Sequence, residues 1–499
     1  MTTRLCGTVI AVLALLVGAD PCVSAEPDNL FRCGGVVERD TWNLWDGSAH
    51  AFMREEMLSV RLKRAGDSYA LYDLETYLHN LAAMAARCQR PERLAELAAL
   101  IDSAFDELTE IPQGDARSKA WVCRGGRVCN MANRLVGTEV ALNSQQFLSL
   151  ALRISAGLAV QPDWAPHRVH VDRGVRIAVE HLVRWMAGRD PLLLEERLRA
   201  RPVDVRDGQS RLFFTDQDLW MIAIAAELSG LLASRPELRP AVEGNLVVGP
   251  VRQSVLGLLK LFHARITRVV LGSTASGGAI VGADLDRSFW RMHRDSRYAG
   301  YAEPEKPVEC LAGNALNVRV PPERVPVVDS IGWDFSHARR LVHAMDALDR
   351  NRAALQKLFD LPNEVLPDPA LTAQFAAQLA VAVWKGDRDW PLFANFWDGT
   401  DGWYRVAYDN GTKACVEGYA PSELSDSFAT GGFAVWGHHQ PVLGELGQRL
   451  YRLSLGGQPA ATSFIDRYYS QLGTRASPNN RMLTQLMFWP SIVQRSKKS

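Results

Sequence analysis

Lysine is scarce in this chain: nine of its 56 basic residues are lysine and 47 are arginine, and 56 acidic residues balance them to a formal charge of zero. Without net charge the protein lacks the broad basic field that gathers nucleic acid, so no nucleic-acid partner is expected. After the first 25 residues no stretch is long and apolar enough to cross a bilayer, and no membrane association is expected. Familiar catalytic signatures are missing too. There is no GxSxG nucleophile elbow and no HExxH, and GSTASGG at 272–278 lacks the lysine of a phosphate-binding loop. No Pro/Ser-rich linker divides the chain, and no repeat of fixed period marks a solenoid.

What is present begins with an export signal. Arg4 precedes an apolar run from about Leu5 to Val17, and Val23-Ser24-Ala25 suits signal peptidase, so residues 1–25 read as a leader and 26–499 as the mature chain. A secreted or periplasmic protein follows. The mature chain keeps six cysteines: Cys33, Cys88, Cys123, Cys129, Cys310 and Cys415. Six cysteines allow fifteen connectivities, but Cys123 and Cys129 are close enough to close a small loop and are expected to pair. A zinc site is the weaker reading of CRGGRVC, because the two-residue ligand spacing and a second ligand pair are absent. No metal or cofactor is expected.

Apolar residues recur at helical spacing through most of the chain. In 68–88, Leu71, Leu74, Leu78, Leu81 and Ala85 form one stripe, with Asp67 or Ser68 to cap its start. In 91–108 the stripe is Leu94, Leu97, Ile101, Phe105 and Leu108, behind a proline suited to a first turn. Similar patterns predict helices at about 144–160, 171–187, 215–234, 250–270, 335–358, 370–385, 432–453 and 478–494. Strand alternation is scarce. The fold class is therefore all-α, and a single (α/α)6 or (α/α)7 toroid of helical hairpins, acting as a monomer, is expected. Long irregular segments at 110–127, 272–332 and 397–431 would form functional loops at one rim.

Three segments carry chemistry. Around 397–419, Trp397, Trp403, Tyr404, Tyr408 and Tyr419 alternate with Asp398, Asp401, Arg405 and Glu417, a mixture that suits sugars, whose faces stack on rings while their hydroxyls need polar partners. The plain alternative is that the rings pin a long loop to the helices. A second run, 287–305, gathers Arg291, His293, Arg294, Arg297, Tyr298 and Tyr301. A third, 329–348, sets Trp333, Asp334 and His337 at a helix start, with Asp334 or Ser336 as cap and Arg339 and Arg340 in the first turn, where the helix dipole disfavours cations.

Arginine, histidine and tyrosine beside an aromatic platform fit an acidic polysaccharide and β-elimination. A base removes the C5 proton of a uronate, an acid protonates the departing C4 oxygen, and a cation neutralises the carboxylate as the enolate develops. Tyrosine can fill both proton roles if a nearby cation lowers its pKa. Tyr298 is the first choice and Tyr301 the second, with Arg294 and Arg291 as neutralisers and His293 or His337 as helper.

The phrases RMHRDSRY (291–298) and DGWYRVAY (401–408) resemble those of the helical-toroid polysaccharide lyases acting on alginate or glucuronan, polysaccharide lyase family 38 being the nearest. The resemblance implies a lyase and covers most of the mature chain. The NNHxYW-like phrase of related alginate lyases is missing, so only the tyrosine and an arginine carry over. A glycoside hydrolase using two of Asp334, Asp398, Asp401 and Glu417 is the alternative enzyme, and a non-catalytic saccharide-binding protein is the alternative outside catalysis.

Overall fold

All five stripe residues Leu71, Leu74, Leu78, Leu81 and Ala85 are fully buried, and the helix they define runs Tyr69–Arg87. The Asp67 carboxylate accepts from the Tyr69 N–H at its start. Ser68 makes no cap hydrogen bond. The computed structural model describes residues 29–495 apart from 112–117, 207–209, 248, 275 and 409–414. The expected leader lies outside the described residues, as does Asn410-Gly411-Thr412, which matches the N-x-Thr glycosylation pattern.

Most described residues are helical and strands are few, so the all-α class holds. The helix Pro478–Ile492 packs on Tyr69–Arg87, which packs on Ala141–Ala159, which packs on Asp216–Ser234, which packs on Arg340–Phe359. Ala141–Ala159 and Asp216–Ser234 are buried on nearly every face, as befits inner helices. Outer partners follow in the chain. Pro91–Phe105 and Arg168–Ala187 both pack on Ala141–Ala159, while Gly249–Arg265 packs on Arg168–Ala187 and Asp216–Ser234. The N-terminal halves of Tyr69–Arg87, Ala141–Ala159, Asp216–Ser234 and Arg340–Phe359 converge, because Glu75, Gln146, Trp220 and Arg340 line one small gap.

Two expectations are corrected, and one helical run is added. The helix expected over 250–270 stops at Arg265, and Ile266–Ser273 pairs antiparallel with Ala279–Leu285. ITRVV is rich in β-branched residues, which favour a pleated strand. The helix expected from 432 begins at Pro441, after a 3-10 turn over Phe433–His438; the proline fits only a first turn. A helical run over 36–65, α interleaved with π, was not anticipated.

Cysteines pair as Cys33–Cys88, Cys123–Cys129 and Cys310–Cys415. The small loop is as expected, and CRGGRVC is no zinc site. No helix among the described residues is long and apolar enough to span a membrane. Three disulfides fit an oxidising compartment. Cys33–Cys88 closes a span of 55 residues and Cys123–Cys129 one of 6. Replacing Cys33 and Cys88 together by alanine should therefore cost about 2–4 kcal/mol in urea unfolding, and the Cys123/Cys129 pair less.

Candidate functional site

Residues 333–335 run beside 395–397 like two short strands. The Phe335 N–H donates to Asn395 O at 2.8 Å and the Trp397 N–H to Trp333 O at 2.9 Å, with Asp334 bridged to Phe396 between them. This pairing seats Asp334, wholly buried, at the start of the helix Phe335–Ala338. Its Oδ1 accepts from the backbone N–H groups of Ser336 (3.0 Å) and His337 (3.1 Å), and Oδ2 takes His337 Nδ1 at 2.5 Å. Burial alone would raise this carboxyl's pKa. The His337 ring, by charge and hydrogen bond, and Arg405 hold it well below the usual carboxylate range. With Nδ1 donating to Asp334, Nε2 becomes the basic nitrogen of His337.

Around this pair the other segments converge. Trp290 lies 4.6 Å from the His293 ring and 5.2 Å from the His337 ring, and it is anchored from below by its indole N–H donating to Asp286 at 2.9 Å. His293 accepts from the Asp295 N–H at Nδ1, and burial lowers its pKa. Arg405 donates from Nε to Asp295 at 2.9 Å and sits over the rings of Tyr404 (5.2 Å) and Tyr408 (4.8 Å). Arg294 covers Tyr408 at 4.5 Å. Both Arg405 (φ +54°) and Ala407 (φ +55°) are left-handed, a conformation costly for residues with a Cβ and often found at functional sites. Gly402 is required here, since a Cβ would fall 1.7 Å from Ala299 O.

One helix turn further on, a second constellation uses the two arginines that the dipole disfavours. Arg339 and Arg340 both donate to the phenolic oxygen of Tyr72, at 2.9 and 2.8 Å. Burial alone would raise the Tyr72 pKa, but Arg340 and then Arg339 outweigh it and lower the phenol below its ordinary value. Arg340 also pairs with Asp216 at 3.5 Å. Asp426 is pushed up to about 6 by burial, against the pull of Arg339. Tyr419, 42% exposed, feels the charges of both Asp426 and Arg405.

Several expected site residues have other duties. Tyr298 is 3% exposed, belongs to a small apolar cluster with Val308, Val325, Trp403 and Val406, and donates its hydroxyl to Val320 O at 2.8 Å. Burial, then Glu323, raises its pKa. A committed, hard-to-ionise phenol is a poor base, so Tyr298 is corrected to a packing residue. Tyr301 is raised as well, by desolvation and the acids Glu305 and Glu303. Trp333, Trp397 and Trp403 are buried, their indole N–H groups given to Phe214 O, Ala283 O and Glu303 O; none offers a face to a sugar. Tyr404 is fully buried with its hydroxyl 3.4 Å from His337 Nδ1, and burial, then Asp334, raises its pKa well above normal. Arg291 turns to Asp329 and Pro202 O, and Glu417 pairs with Lys306 at the surface. Among the aromatics near these arginines, Tyr69, Tyr72 and Tyr408 are half-open and Tyr419 is exposed.

The acids proposed for a hydrolase are likewise engaged. Asp398 accepts from the hydroxyls of Ser330 and Thr400. Asp401 accepts from Ser422 and pairs with Lys385. Among the described residues, Glu75, His79 and His343 bring ligand-type atoms within 4.8 Å of one another. Their geometry does not suit a metal: the two rings are stacked at 3.7 Å and 9°, which keeps the nitrogen lone pairs side by side rather than convergent, and Glu75 is held by His79 and Gln146. Tyr72 and Asp426 were missed from sequence. A signal was available, because Tyr72, Glu75 and His79 form a polar line three and four residues apart on an otherwise buried helix.

No family model matches the chain, and neither a curated protein nor a solved structure matches it.

Two outcomes test these assignments. Tyr298→Phe should lower stability by about 1 kcal/mol, since Val320 O loses its donor, and leave saccharide affinity unchanged in calorimetric titration. The native pKa of Asp334 is depressed, so its stabilisation is complete above the unfolded value near ~3.9 and is lost as pH falls toward the native one. In urea midpoints measured across that acid range, Asp334→Asn should lose much of the wild-type slope while costing about 2 kcal/mol at neutral pH.

Proposed function

We propose that the inner and outer helices close into an (α/α) toroid, and that the protein is a secreted or periplasmic lyase cleaving an acidic polysaccharide of the glucuronan or alginate type by β-elimination. The observation that carries this reading is Tyr72, whose phenolic oxygen accepts from both Arg339 and Arg340 and whose pKa is lowered in a half-buried site. Charge-assisted donors favour tyrosinate over tyrosine. In the proposed step the Tyr72 oxygen takes the C5 proton of the uronate and returns it to the departing C4 oxygen on the same face, which leaves a C4–C5 double bond. Arginine has five N–H donors, so Arg339 can meet the sugar carboxylate while holding Tyr72, and Asp426, raised to about 6, can donate a further hydrogen bond at mildly acidic pH, where it is protonated. Tyr419 supplies a ring face and Tyr408 a ring edge to neighbouring sugars, and the Asp334–His337 pair and Arg405 position the loop that carries them.

Incubation with glucuronan, alginate and pectate should produce absorbance at ~235 nm from the conjugated product, without added water across the bond. Tyr72→Phe should reduce that rate by about 100-fold or more while the circular dichroism spectrum stays native. New reducing ends without absorbance would instead assign hydrolysis, with Asp426 as the acid, and binding without either would leave a saccharide receptor.

A further inference from the structure

Away from Tyr72, the later turns of the inner helices surround a cavity of about 600 Å³, a volume typical of small-molecule sites. Its charge is lopsided. Arg32, Arg87, Arg153, Arg350 and Arg495 line it against two carboxylates, Asp346 and Asp349.

Most of these groups have structural employment. Arg350 is held by Glu227 and, at 2.9 Å, by Asp346. Arg87 donates to Pro490 O (2.6 Å) and Val493 O (2.9 Å), finishing the helix Pro478–Ile492. Arg32 donates to Arg495 O, and Asp349 accepts the Thr372 hydroxyl. Arg153 is different. It is 8% exposed, its Nε has no hydrogen-bond partner, and its nearest carboxylate oxygen is Asp346 Oδ2 at 3.6 Å, the same atom Arg350 holds more closely. A buried guanidinium without an acceptor of its own is costly unless something arrives to complete it. Burial, reinforced by Arg350, lowers its pKa in keeping with that deficit.

We propose that this cavity binds a small oxyanion, a phosphate or a sugar-acid carboxylate, with Arg153 as the inner contact and Arg32 and Arg495 at the mouth. The site is separate from the Tyr72 constellation, and its occupancy does not depend on the lyase reading. The planar fork of arginine suits both anions, so calorimetric titration of the full chain with inorganic phosphate and, separately, D-glucuronate identifies which class is taken. Binding of either supports the site, provided Arg153→Gln weakens it about tenfold, as loss of one charge-assisted contact should. The Arg32→Gln/Arg495→Gln double variant should weaken it as well, and Arg405→Gln should leave it unchanged. If Arg153→Gln does not fold, the double variant decides. Absence of binding by both anions, affinity unaffected by the cavity substitutions, or an equal loss in Arg405→Gln would overturn the proposal.

Discussion

The buried carboxylate of Asp334 is the joint on which the candidate site turns. One oxygen closes the start of a helix by accepting two backbone N–H groups, and the other fixes the imidazole of His337. Its own backbone lies in the short strand-like pairing with 395–397. Helix start, histidine tautomer and aromatic loop are thereby set by one ionised group. Burying a charge is tolerable only when every lone pair is used, and the chain spends Ser336, His337 and the nearby Arg405 on that requirement. The arginines one turn later are then delivered to Tyr72 at a defined angle, from an end of the helix where the dipole alone would not favour them.

The aromatic-rich stretch divides into two populations with different physics. Trp397 packs among Phe335, Phe375, Phe433 and Trp436, and Trp403 joins the satellite cluster around Tyr298. Each indole gives its N–H to a carbonyl, as buried tryptophan must. These rings pin the loop. Tyr408 and Tyr419 are the ones left partly open, Tyr408 lying between two guanidinium planes. Cation–π contact of this kind keeps a ring rigid while leaving its rim accessible to a polar ligand.

Much of the helical frame was legible because burial imposes a 3.6-residue period, and the Leu71-to-Ala85 stripe shows it directly. The limits came where a local rule competed: β-branched residues turned 266–273 into a strand, and Pro441 delayed a helix. At the site, Asp334 as cap was readable from spacing, and composition singled out the three segments that carry His293, His337 and Arg405. The choice of tyrosine was not. Tyr298 stood beside cations in sequence, yet its hydroxyl folds onto Val320 O, whereas Tyr72 meets Arg339 and Arg340 from more than 260 positions away. One-dimensional proximity reports neighbours along the chain, but a pKa is set by neighbours in space.

The Cys310–Cys415 bond joins segments 105 residues apart, and Val308 and Trp403 pack together beside it. Synthesis must pass residue 415 before this staple can form. These two segments are therefore tied late, after much of the helical frame has been made, and the tie depends on oxidation. In a reducing milieu the same two segments would be held together by the packing of residues such as Val308 and Trp403 alone.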